Sequence, residues 1–68
     1  MEIVITSNDP VRLGFLVLLL RDAGLEPVVY DAHMAAVEGS IGAIQRRIAV
    51  PADQAMAARR VLREAGEL

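Results

Sequence analysis

The stretch EIVITSNDP, residues 2–10, decides the fold. Glu2 to Thr6 is short and rich in β-branched side chains, the composition of a strand, and it stops at Ser7, Asn8, Asp9 and Pro10, a sequence that starts a helix. Asn8 or Asp9 can accept from the free N–H groups of a first helical turn. Pro10 suits the first helical position because its missing N–H would have no partner there. A helix is therefore expected from Pro10 to about Ala23. Arg21 stands in its last turn, where the helix dipole favours a cation, and Gly24 follows as a left-handed terminator.

Working outward, Leu25 to Asp31 (LEPVVYD) reads as a second strand, and Pro27 within it confines that strand to a sheet edge or a non-bonded position. Gln45 to Val50 (QRRIAV) reads as a third, with Ile48 and Val50 on one face, Arg47 and Ala49 on the other, and Pro51 ending it. Ala52 to Ala65 carries helix formers, with Ala55, Ala58, Leu62 and Ala65 at helical spacing and Gly66 behind them. No repeat, low-complexity run or linker interrupts the chain, so residues 1–68 read as a single domain.

The order β-α-β-β-α has an architectural consequence. A right-handed crossover sets the second strand parallel to the first, and an antiparallel third strand fits between them, a split βαβ with both helices on one face. This is an α+β domain with a ferredoxin-like sheet that lacks its fourth strand. The expected core is Ile3, Ile5, Phe15, Leu16, Leu19, Leu20, Ile48, Val50, Ala58 and Leu62. The gap leaves the first strand with an unpaired edge and the far face of the sheet, with Val29 and Ala49, uncovered. A homodimer or a protein partner would answer both.

Composition narrows the function. A chain of 68 residues buries only about 60% of its unfolded surface, close to the lower limit for independent folding. There is no cysteine, so neither a disulfide nor a thiolate metal site is available. All seven basic residues are arginine, which removes lysine-based Schiff-base chemistry. A net charge of −2, with Tyr30 the only aromatic residue on a strand, disfavours nucleic acid, which wants basic tracks and stacking platforms. Leu13 to Leu20 is the most apolar run, but Arg12 and Arg21 bracket it and it is shorter than the roughly 20 residues a membrane span requires. With no basic leader after Met1, a cytoplasmic protein is expected.

Candidate sites gather in the long connection between the second and third strands. A hairpin needs 2 to 5 connecting residues, and the connection from Ala32 to Ile44 is much longer. Glu38, Gly39, Ser40 and Gly42 offer glycines, a hydroxyl and backbone N–H groups close to Arg46 and Arg47, a set that can cradle a small anionic ligand. The alternative is a loop that only packs over the sheet, since neither a phosphate-loop nor a dinucleotide spacing is present, and no cofactor is expected. Arg46 and Arg47 point to opposite strand faces, so at most one serves a given site, and Arg47 is preferred because Arg46 shares its face with Ile48 and Val50. Asp31, His33 and Glu38 are the residue types a hard or borderline metal takes, against the ordinary reading of His33 as a surface residue. That set defines the alternative of a metal-binding protein or metal-assisted enzyme. His33 with Ser40 lacks any nucleophile elbow, so hydrolase chemistry is disfavoured. Helix 1 carries more apolar surface than one core face uses, leaving Gly14, Val17 and Leu18 outside the expected stripe as a candidate interface, against the reading that its apolar arc is simply wide.

Asn8, Asp9 and Pro10 opening a helix, the run from Leu19 to Leu25 closing it, and Val50 and Pro51 before an Ala/Arg-rich helix resemble a small bacterial domain family described as putative prokaryotic signal-transducing proteins. The resemblance covers the whole chain. The middle, Asp31 to Met34, Glu38 to Gly42 and the Arg46 and Arg47 pair, is similar to a subset of that family with this longer loop. The chain departs from the subset at Gln45, where a proline is expected, and at Ala49, where a bulkier residue is. The resemblance implies a ferredoxin-like, PII-like fold. A non-enzymatic regulatory or protein-interaction module is expected because the residues form no convergent catalytic set, while the long connection and the unpaired sheet edge offer recognition surface.

Overall fold

The computed structural model describes residues 1–30 and 45–68. Among these the chain forms β1 (Glu2–Ser7), α1 (Pro10–Asp22), β2 (Val28–Tyr30), β3 (Arg46–Val50), a 3₁₀ turn (Ala52–Gln54) and α2 (Ala55–Glu64). Asp31, the expected end of the second strand, and the connection 32–44 lie outside the described residues.

The local signals act where the sequence places them. Asp9 is the N-cap of α1, extended in backbone, and its Oδ1 accepts from the N–H groups of Val11 at 2.9 Å and Arg12 at 3.3 Å. Ser7 Oγ accepts from the Asp9 N–H at 3.1 Å and steadies that cap. At the other end Gly24 takes φ +82°, its N–H reaches the Arg21 carbonyl at 2.9 Å, and the Leu25 N–H reaches the Leu20 carbonyl at 3.1 Å. This pair of bonds is a Schellman closure, which uses the left-handed conformation that only glycine adopts without cost. The same closure ends α2, with Gly66 at φ +77° and the Glu67 N–H on the Leu62 carbonyl at 2.8 Å.

β2 starts three residues later than the sequence suggests, because the preceding donors are spoken for. The Leu25 N–H closes α1, the Glu26 N–H bonds Gln54 Oε1, and Pro27 has no N–H. Pairing begins at Val28. Likewise α2 is preceded by a 3₁₀ turn in which the Gln54 N–H meets the Pro51 carbonyl at 2.8 Å, so the α-helix proper begins at Ala55 rather than Ala52.

The three strands lie in the order β1-β3-β2, with both outer strands antiparallel to β3 and therefore parallel to each other. One irregularity governs the faces. Ile3 pairs with Ala49 and Ile5 with Ile48, so Val4 is an extra residue in β1 at a β-bulge. The bulge breaks the alternation of β1. Val4 joins the core, Ile5 packs partly against it, and Ile3 goes to the opposite face beside Ala49.

The core is Val4, Leu13, Leu16, Leu20, Ile48, Val50, Ala55, Ala58 and Leu62, in which both helices and the sheet meet. Leu16, Leu20, Ile48 and Leu62 are fully buried, each burial worth about 2 kcal/mol. Five residues depart from their expected places. Ile3 leaves the core because of the bulge, and Phe15 is exposed because α1 is turned so that Leu13, Leu16 and Leu20 face inward. Ile5 and Leu19 are only partly buried at the margin of the core. On the far sheet face Val28, not Val29, accompanies Ala49, since Val28 pairs with Ala49 and Val29 with Ile48.

Candidate interaction surface

Two ties position α1 against α2. Glu67, mostly buried just beyond α2, forms an ion pair with Arg12 in the first turn of α1. Gln54, just before α2, bonds Glu26, just after α1. The helices are thereby held antiparallel, the start of each near the end of the other. Arg59 on α2 adds an ion pair to Glu2 of β1 at 2.7 Å.

With α1 held this way, its outer side is set by geometry. At 100° per residue, Val11, Phe15, Leu18 and Asp22 fall on one stripe directly opposite Leu13, Leu16 and Leu20. Val11 is 81% exposed, Phe15 51% and Leu18 65%. Gly14 and Arg21 flank the stripe on one side, and a Cβ built on Gly14 would meet nothing within 4 Å. The helix is apolar on both faces, and among the described residues only the inner one packs into the core. At its C-terminal end the stripe runs into Asp22, with Arg21 on its flank.

A second surface is the sheet face turned from the helices. Ile3, Ala49 and Val28 form one row across the strands, and Thr6, Arg47 and Tyr30 the next. Ala49 is fully buried in its row while Ile3, Val28 and Tyr30 remain exposed. Cross-strand pairing thus places Arg47 beside Tyr30 and Thr6, and Arg46 opposite Ser7 in the following row.

Of the residues singled out from sequence, Gly14 and Leu18 lie on the outer side of α1, while Val17 is half-buried and packs against the core. Phe15 and Val11 take the place assigned to Val17. The signal for them was present in the i, i+4, i+7 spacing of Val11, Phe15 and Leu18, but the same helix offered two apolar phases. Glu38, Gly39, Ser40 and Gly42 of the anion set, and Asp31, His33 and Glu38 of the metal set, lie outside the described residues. No helix among the described residues is long and apolar enough to cross a membrane.

These features define a small α+β domain that exposes, among its described residues, an apolar helix face. The family described as "Putative prokaryotic signal transducing protein" matches residues 1–66, and the chain belongs to that family. No curated protein and no solved structure matches it.

Proposed function

We propose that this chain is a non-enzymatic regulatory module of ferredoxin-like, PII-like architecture that works in the cytoplasm by docking an apolar partner surface on the outer stripe of α1. The sheet order β1-β3-β2, with a central antiparallel strand and both helices sharing one core, supports the architectural part. Membership of a family described as signal-transducing supports the regulatory part.

The observation that carries the reading is the stripe of Val11, Phe15 and Leu18, exposed on a helix whose opposite face already supplies the core. Among the described residues nothing packs on these three large apolar side chains, and a contiguous apolar stripe is the kind of surface that docks a partner. A photocrosslinking amino acid placed at Leu18, with Glu64 on the exposed side of α2 as control, tests the reading in cells. Discrete protein adducts from position 18 and none from position 64 are expected. Equal, diffuse labelling from both positions would overturn it.

A further inference from the structure

We propose that the sheet face turned from the helices binds a small amphipathic anion, a carboxylate or phosphate carried on an unbranched apolar chain, with Arg47 holding the anionic head. This face lies across the sheet from α1, so the site is independent of the docking role given to the α1 stripe.

The register of the sheet assembles the site. Thr6 and Tyr30 pair with Arg47 from either side, so one cross-strand row carries a hydroxyl, a guanidinium and a phenol on the same face. All three residues are exposed. Arg47 carries the only charge in this row and the row of Ile3, Ala49 and Val28, and no described carboxylate forms an ion pair with it. A guanidinium is weakly hydrated and presents its donors in a planar fork that matches two oxygens of a carboxylate or phosphate. The hydroxyls of Thr6 and Tyr30 add donors beside it. Charge complementarity therefore selects an anion for this face.

The adjoining row selects the rest of the ligand. Ile3, Ala49 and Val28 lie one step along the same face, about 7 Å from the row of Arg47. Ala49 is fully buried, while Ile3 is 44% and Val28 41% exposed, so this row offers apolar surface and no polar side chain. An extended chain of about six carbons spans the step, so an anion held at Arg47 lays its tail across Ile3 and Val28. A bare inorganic anion lacks the second contact, and an uncharged amphiphile lacks the first.

The chain contains one tyrosine and no tryptophan, so its intrinsic fluorescence reports on Tyr30 alone and is blind to ligand elsewhere. Titration with octanoate and with octyl phosphate should change that fluorescence saturably, with half-saturation on the order of 1 mM for so few ligand atoms on an exposed face. Acetate, inorganic phosphate and octanamide should give no saturable change below about 20 mM. Arg47→Gln should keep the far-ultraviolet dichroism of the fold and weaken octanoate binding about fivefold or more. Affinity should rise about twofold for each CH₂ from hexanoate to octanoate, and Ile3→Thr should flatten that rise. The amide chemical shifts of Thr6, Tyr30 and Arg47, followed in the same titrations, detect a complex that leaves the fluorescence unchanged. Saturation by either head supports the site, and the preference between them tells carboxylate from phosphate. A response to octanamide equal to that to octanoate, or an undiminished response in Arg47→Gln, would overturn the role of Arg47. Neither fluorescence nor shift changes with both anions at about 20 mM would overturn the site itself.

Discussion

Gln54 and Glu26, 28 residues apart, hold each other by two hydrogen bonds: Gln54 Oε1 accepts from the Glu26 N–H at 2.9 Å, and Gln54 Nε2 donates to the Glu26 carboxylate at 3.1 Å. The pair fixes where β2 begins and where α2 is docked, because it occupies a backbone donor that would otherwise be free to extend the strand. Gln54→Ala should lower the stability by about 1 kcal/mol, the net worth of such hydrogen bonds in a solvent-accessible setting. Gln54→Glu should cost more, since it removes the donor and sets two carboxylates together. Urea denaturation of the three proteins checks the ranking, and an unchanged midpoint in both variants would show the clasp to be idle.

The three described glycines of the helical regions should respond differently to alanine. Gly24 and Gly66 sit at φ +82° and +77°, where a Cβ meets the preceding backbone, so each alanine should destabilise by about 1 kcal/mol. Gly14 is helical with open space around it, and Gly14→Ala should stabilise the fold by up to about 1 kcal/mol. Thermal melts separate the two behaviours.

The bulge in β1 makes a prediction that strict alternation would reverse. Val4 is buried in the core while Ile3 is on the far face of the sheet, so Val4→Ala should cost about 2 kcal/mol and Ile3→Thr less than about 0.5 kcal/mol. Denaturation midpoints of the two variants read this directly. Equal losses would mean that Ile3 is also covered.

What was legible in the sequence was local. Asp9, Pro10, Gly24, Gly66 and Pro51 each act through their own backbone, so their meaning is independent of the rest of the molecule, and the element order followed from them. The faces were harder. The position of the Val4 bulge depends on which residues of β3 it meets, and nothing within EIVIT announces it. The rotation of α1 was hidden because the helix is apolar on nearly every side, so a stripe through Phe15 and Leu19 and one through Leu13, Leu16 and Leu20 fit equally well. α2 posed no such problem, since arginines mark its outer side and leave Ala55, Ala58 and Leu62 as the only inner stripe. Of the candidate surface, Leu18 and Gly14 were visible from spacing alone, whereas Phe15 could be assigned only once Leu16 and Leu20 were seen to fill the core. The start of β2 was masked for a tertiary reason, the hydrogen bond from Glu26 to Gln54.

The two faces of α1 can be told apart by substitutions two residues from each other. Leu16 is fully buried and Leu18 largely exposed, on a single helix and with the same side chain. Leu16→Ala removes core contacts with incomplete collapse and should cost about 3 kcal/mol, a large part of the stability of so small a domain. Leu18→Ala should change the stability of the monomer by less than about 0.5 kcal/mol, and Leu18→Glu should be tolerated because the carboxylate stays in water. Hydrogen exchange at low concentration provides the check: Leu16→Ala should speed exchange across α1, α2 and β3 together, because these elements share one core, while Leu18→Glu should leave those rates unchanged. If Leu18→Glu instead loosened the whole domain, Leu18 would be part of the folded core, and the stripe of Val11, Phe15 and Leu18 could not be a surface for anything else.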